Sequence, residues 1–266
     1  GFGRSEANLK LAVVNGVIDR YALSLEEAVA GADMVFIATP TQTAETMLTQ
    51  LAPLWRDDWV VTDGASVKGN MLRAAQVLFK DVPGNLVLGH PIAGSEQSGV
   101  AAADAGLYRD HRVILTPLDN TAPEALAQVR EMWQCAGAEV VEMPVAEHDT
   151  VLAATSHLPH VLAYALVDAL AKEGAAEQIF RFAAGGFRDF TRIASSDPTM
   201  WHDIVLANSD AVLTALDQFT DHLAELRSAI AAGDGDGIQS AFERAKQARD
   251  RHFLTQYKNT DSTESS

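Results

Sequence analysis

His90 directly follows the apolar run at residues 86–89 and precedes Pro91, whose ring restricts the backbone before it. A histidine held there suits a proton acceptor, because the unperturbed imidazole pKa of about 6.5 lies near working pH. On position alone, a histidine that merely hydrogen-bonds its loop is the equal alternative. His157 and His160 are three apart and share a helix face. Neither an H-E-x-x-H pattern nor a cysteine cluster accompanies them, so no metal is expected. Residues 185–192 (G-G-F-R-D-F-T-R) join two glycines to Arg188 and Arg192. Arginine grips carboxylates through two parallel hydrogen bonds, so this segment suits an anion site, with an interface salt-bridge network as the alternative.

An anion site is needed if the ligand is acidic, since the chain carries a formal net charge of −16. Such a surface repels phosphate backbones and acidic membrane faces, which argues against nucleic-acid and lipid partners. With 47% hydrophobic and 21% charged residues, the composition is that of a soluble globular protein. Cys135 is the one cysteine, so no disulfide forms within the chain; a reducing, cytoplasmic setting agrees with that. The longest apolar stretch, residues 151–171, includes His157, Pro159, His160 and Asp168. A membrane span of about 20 residues rarely carries so many polar groups, so the stretch reads as a buried helix. The chain opens on Gly1 with no basic-then-apolar leader, and its native start is read as lying upstream.

The elements that must position these residues alternate. Ser5 caps a helix bearing Leu9 and Val13 and stopped at Gly16, and Ser24 with Glu27 has capping-box spacing. Residues 34–38 are a continuous apolar run, as in a strand buried on both faces. Helix 43–51, strand 59–62, helix 71–79, strand 86–89, strand 112–115, a helix from Pro123 to Gly137 and strand 139–142 follow. Strands alternating with helices imply a doubly wound, mostly parallel α/β sheet. From about Glu147 the pattern is helical, with Pro198 in a first turn after Ser196 and Asp197, a further start at Ser209, and a break at residues 233–237. The expected organisation is an α/β domain over 1–145, a helical domain over 146–254, and a polar, disordered tail over 255–266.

In open parallel sheets, ligands lie beyond the carboxyl ends of the strands. Three such ends carry polar segments: Thr39-Pro40, residues 63–68 (D-G-A-S-V-K), and residues 90–96 (H-P-I-A-G-S-E). Each alone is an ordinary turn; together they point to one site. The fingerprint G-x-G-x-x-G is absent, and residues 1–4 (G-F-G-R) read as the end of the second strand of a Rossmann-type unit. The glycine loop itself would lie in about 30 preceding residues. An acid at that strand end would hold the ribose hydroxyls of NAD. Gly3, Arg4 and Ser5 stand there instead, which suits the 2′-phosphate of NADP better; an exposed arginine beside a plain helix cap is the alternative.

With these segments in view, the sequence resembles the prephenate/arogenate (cyclohexadienyl) dehydrogenase family. The resemblance rests on residues 63–69 (D-G-A-S-V-K-G), 89–99 (G-H-P-I-A-G-S-E-Q-S-G), 156–160 (S-H-L-P-H), 185–192 and 196–201 (S-D-P-T-M-W), in family order. It implies oxidation of a cyclohexadienol to a phenol by hydride transfer to NADP or NAD, coupled to decarboxylation, as a step of tyrosine biosynthesis. It also implies an all-α dimerisation domain behind the nucleotide-binding one, with a homodimer burying the 151–171 helix. By the same resemblance His90 takes the proton of the ring hydroxyl and Ser66 orients both; from their places at the strand ends, Arg4, Ser5, Thr39 and Pro40 are expected to border the cofactor with Ser66. Arg192 binds a substrate carboxylate, with His157 and His160 helping to fix the substrate, Arg188 near the entrance, and Glu96 as a gating or pH-linked acid. Two other readings stay open: a two-domain dehydrogenase of hydroxy or imino acids, and a catalytically incompetent dimerisation or binding module.

Overall fold

The computed structural model describes residues 1–94 and 99–254. Five strands form one sheet in sequence order: β1 (Met34–Ile37), β2 (Val60–Asp63), β3 (Leu86–Pro91), β4 (Arg112–Thr116) and β5 (Glu139–Glu142). β1, β2 and β3 run parallel, β4 runs antiparallel to β3, and β5 runs parallel to β4. Parallel neighbours require a crossover, which α3 (Thr41–Leu51) and α4 (Gly69–Leu78) supply. Between β3 and β4, a 3-10 turn at Val100–Ala102 is the one helical element among the described residues, so the chain turns back beside β3.

One face of the sheet packs Ile37, Val61, Leu86 and Leu88 against Ala44, Leu48, Leu51, Met71 and Ala75 of α3 and α4. The other packs Val60, Val87, Val113 and Leu115 against Ala125, Val129 and Trp133 of α5 (Pro123–Cys135). Each large side chain fully buried there contributes about 1.5–3 kcal/mol. β2 and β3 are buried on both faces, but β1 is not: Phe36 is 40% exposed. β1 is the edge strand of the described sheet, with a neighbour on one side.

Local signals set most element starts. Ser5 Oγ accepts from Asn8 N and begins α1 (Glu6–Val14); Ser24 Oγ accepts from Glu27 N and begins α2 (Leu25–Val29). Glu27 reaches back to Leu23 N rather than to Ser24 N, one residue off the expected reciprocal bond. Residues 1–4 form no strand. Gly1 donates to the Arg20 carbonyl and accepts from Ala22 N, the hydrogen-bond pair of a single parallel bridge.

From Val145 every described element is helical. α6 (Val145–Leu152) continues through a π-helical turn, Ala153–His157, into α7 (Leu158–Ala171). α8 (Ala176–Arg181), α9 (Gly185–Thr191) and α10 (Pro198–Ala207) follow, then α11 (Ser209–Ala232) and α12 (Gly235–Arg249). Pro198 occupies the first turn of α10 and Asp197 caps it, accepting from Thr199 N and Met200 N. Gly233, at φ 67°, ends α11, and Asp234 caps α12. The chain divides into two compact units, Gly1–Val212 and a second from Leu213 on. The expected tail, 255–266, lies outside the described residues.

The 151–171 stretch is helical but only partly buried within the chain, at Leu152, Ala153, His157 and Ala163. In the continuous helix Val145–Ala171 only 22% of the most apolar 18 residues is buried, and Ala163 is the one buried residue of α7. α7 is apolar almost all round, and one chain covers only the side that faces it.

Candidate active site

The carboxyl ends of β1, β2 and β3 lie side by side, so the segments after them share one edge of the sheet. Asp63 closes β2. Its Oδ1 accepts from Gly89 N (3.1 Å), while its Oδ2 accepts from Ala65 N (3.0 Å) and from the Lys68 ammonium. Lys68 Nζ also donates to the Gly89 carbonyl at 2.6 Å. Both partners of this ion pair are fully buried. Burial pushes the Lys68 pKa down, against the pull of Asp63 and Asp149. The pair clamps β2 to β3 just before His90. Gly89 permits the approach, since a Cβ there would stand 3.1 Å from the Asp63 carbonyl oxygen.

His90 itself is buried, and its Nδ1 lies 2.9 Å from Nε2 of His148 on α6. His148 Nδ1 lies 2.8 Å from Oδ1 of Asp149. The Asp149 carboxylate then accepts from Lys68 N (2.9 Å) and Gly69 N (2.7 Å), the first amides of α4, whose own cap residue offers no side-chain acceptor. An acid some 80 residues away in sequence thus caps α4. Gly69 is required for this, since a Cβ would stand 2.6 Å from Asp149 Oδ2.

Asn208, just past α10, donates to the Asp149 carbonyl at 2.8 Å and sits 3.2 Å from His157 Nδ1. His160 Nδ1 donates to the Ser156 carbonyl at 2.8 Å. Its ring stacks on Trp201, centroids 3.4 Å apart and 17° from parallel. Trp201 is the last residue of S-D-P-T-M-W, so the Asp197 cap and Pro198 start α10 where its ring becomes a platform.

Burial dominates the electrostatics of all four histidines. It drives His90 well below the ordinary value, helped by the charges of His148, Lys68 and His157. It lowers His157 to about 4, with Asp149 opposing and His148 and His160 assisting. His148 is also lowered by burial, although Asp149 pulls the other way, and His160 is lowered by burial and then by the charge of Arg192. For Asp149 the outcome differs: burial is again the largest single cause and raises its pKa, but the hydrogen bonds from His148, Lys68 N and Gly69 N together hold it below the usual carboxylate value. Neutral imidazoles therefore stand beside an ionised carboxylate.

The remaining residues are placed as follows. Ser66 is half-buried in the loop between β2 and α4. Thr39 follows β1 with its hydroxyl oxygen buried and without a partner among the described residues, and Pro40 is exposed at the start of α3. Arg4 and Ser5 are exposed, and Ser5 Oγ is engaged in capping α1. Arg188 and Arg192 are exposed, Arg188 on α9 and Arg192 opening the 3-10 turn after it. The charge of Arg192 is felt at His160, which puts the two in one neighbourhood. Glu96 lies outside the described residues. A cavity of about 810 Å³ among α3, α4 and the end of α10 is lined by Glu45, Asn70, Arg73 and Leu206 but by none of these site residues. Hydrogen-bonded chemistry, not volume, marks the site.

Residues 1–142 match the family model described as prephenate dehydrogenase, nucleotide-binding domain, and residues 144–244 match prephenate dehydrogenase, dimerization domain. The chain belongs to the prephenate dehydrogenase family. It is similar to the prephenate dehydrogenase of Bacillus subtilis (strain 168), 38% identical, with 94% of this chain and 68% of that protein covered. The cyclohexadienyl dehydrogenase of Zymomonas mobilis is 37% identical, covering 87% of this chain and 79% of that protein. Among solved structures, Aquifex aeolicus prephenate dehydrogenase in complex with hydroxyphenyl propionate and NAD+ superposes with a TM-score of 0.86 at 35% identity. That match covers 94% of this chain and 87% of the other.

As a prephenate dehydrogenase family member, the chain is a dehydrogenase with a Rossmann-type, mostly parallel sheet followed by a helical domain. Sequence reasoning gave no role to five residues that the structure gathers in this candidate site: Lys68 as a buried cation, His148, Asp149, Trp201 and Asn208. For His148 and Asp149 a signal existed, an adjacent histidine and acid in the first turns of a helix, but nothing local says that they turn inward. Lys68 was visible only as one letter of a polar loop.

Proposed function

We propose that this chain catalyses the oxidative decarboxylation of prephenate or arogenate with hydride transfer to NAD(P)+, giving 4-hydroxyphenylpyruvate or tyrosine. The observation that carries this reading is His90, a buried, neutral imidazole at the carboxyl edge of the sheet with Nδ1 engaged by His148. Nε2 is then the nitrogen that accepts the ring hydroxyl's proton. As the carbinol carbon is oxidised, the ring carboxylate leaves as carbon dioxide, its bonding electrons remain in the ring, and a phenol results. Ser66, in the loop after β2, orients the hydroxyl, and the His160–Trp201 stack supports one wall with His157 behind it. Arg192 holds a substrate carboxylate and Arg188 lies at the entrance, which answers the repulsion of a dianion by a chain of net charge −16.

Bound NAD(P)+ supplies the hydride acceptor in this reading. The orphan Thr39 hydroxyl beyond β1 fits a dinucleotide contact at that edge, with Pro40 and Ser66 beside it and Arg4 and Ser5 toward the adenosine ribose. NADP ahead of NAD follows from the lack of an acid at Gly3. A side chain is sterically admitted there, the nearest atom to an added Cβ being Leu9 Cδ2 at 3.7 Å. Gly3→Asp is expected to shift kcat/KM toward NAD by about tenfold or more, through hydrogen bonds from the ribose hydroxyls and repulsion of a 2′-phosphate. An unchanged cofactor ratio would remove these residues from the nucleotide site.

A homodimer covers the apolar side of α7 that one chain leaves open, in keeping with the dimerization-domain match. Arg192→Gln is expected to raise the substrate KM roughly 10- to 100-fold with a smaller change in kcat, the range for losing a charged hydrogen bond. The deciding experiment is steady-state kinetics with prephenate and arogenate, each with NAD+ and NADP+. Turnover of hydroxy or imino acids in their place, or no nicotinamide binding at all, would refute the proposal.

A further inference from the structure

We infer that His148 and Asp149 are positioning residues for proton transfer at His90, fixing which nitrogen of its ring is free and taking up charge behind it. The inference rests on the reading of His90 as the base and adds two residues to it. Asp149 receives the amides of Lys68 and Gly69, which can only donate, so its carboxylate is the acceptor toward His148 Nδ1, and that nitrogen carries the hydrogen. A buried, neutral His148 then has its lone pair on Nε2, 2.9 Å from His90 Nδ1. His90 Nδ1 is therefore the N–H, and Nε2 keeps the lone pair. The hydrogen bonds run one way, from His90 to His148 to Asp149, and the last member is anchored to the start of α4 and cannot swing away.

The same direction serves the reaction. When Nε2 takes the hydroxyl proton, the O–H bond breaks and an N–H bond forms. The Nδ1 proton can then pass to His148 Nε2, which leaves His90 neutral and a charged His148 against the Asp149 carboxylate. The groups facing His90 are His148, Lys68 and His157; those facing His148 are His90, Asp149, Lys68 and Asp63. Asp63 and Asp149 thus set two acidic groups against the one lysine around this centre.

The test compares His148→Leu with His148→Gln and reads the imidazole tautomers of the intact protein by 15N NMR. Wild-type His90 is expected as the Nδ1–H tautomer. His148→Leu should lower kcat by about a hundredfold with KM within about threefold, because no substrate contact is lost. His148→Gln, whose side-chain carbonyl can accept from His90 Nδ1–H, should recover activity to within about tenfold of wild type. Wild-type kcat in folded His148→Leu, equal losses in both variants, or an Nε2–H tautomer of His90 overturns the inference. If His148→Leu does not fold, the glutamine variant and the wild-type tautomer decide. Full turnover in His90→Asn would instead overturn the base itself, whereas its loss alongside an active His148→Leu would remove only the positioning pair.

Discussion

His90→Asn is expected to lower kcat by roughly a thousandfold while KM stays within about threefold, the signature of a group acting in the transition state. Asparagine can still place an amide N–H toward His148 Nε2, so the buried pair keeps a donor. It has no basic nitrogen where Nε2 stood, so only the proton transfer is lost. The pH profile gives an independent check. Burial and the neighbouring charges depress the His90 pKa, so the neutral, competent form persists below the ordinary histidine value of about 6.5. The acid limb of the rate profile should therefore appear only as pH falls through that lowered value. A limb centred at or above 6.5, or comparable kcat in the two proteins, would take His90 out of the chemistry.

The second large effect is on stability. Lys68→Met is expected to cost about 3–5 kcal/mol, because it leaves Asp63 buried without its cation. For a unit of this size, that lowers Tm by roughly 6–20 °C. The Asp63 oxygens would keep the amides of Ala65 and Gly89, which limits the damage. Adding Asp63→Asn to Lys68→Met should recover part of the loss, since the second change removes the stranded charge. Denaturant or thermal unfolding of the three variants measures the coupling. A Lys68→Met protein as stable as wild type would mean that the pair contributes nothing beyond its volume. Activity should fall as well, because the clamp ends at Gly89, next to the base.

Much of the fold was legible because its signals are local. Ser5, Ser24 and Asp197 cap the helices that follow them, Pro123 and Pro198 occupy first turns, and the apolar runs before residues 63 and 90 became strands buried on both faces. Where the reading erred, the missing information was not local. Phe36 lies exposed, although the run at residues 34–38 is apolar throughout: what covers a strand's face comes from other elements. The 151–171 helix was read as buried, with a homodimer covering it; one chain covers part of it, and apolarity alone does not say what covers the rest.

The sequence by itself determined the element order, the three polar strand ends, and a histidine and arginines of the types an acidic cyclohexadienol requires. Only the tertiary structure decided that Asp149 caps α4, that His148 lies between Asp149 and His90, and that Lys68 closes on Asp63 and Gly89. The reason is physical. A cap or a strand is specified by neighbours a few residues apart, whereas the orientation of an imidazole is specified by whatever hydrogen-bonds its far nitrogen. For His90, on β3, that partner comes from helix α6, 58 residues further along the chain.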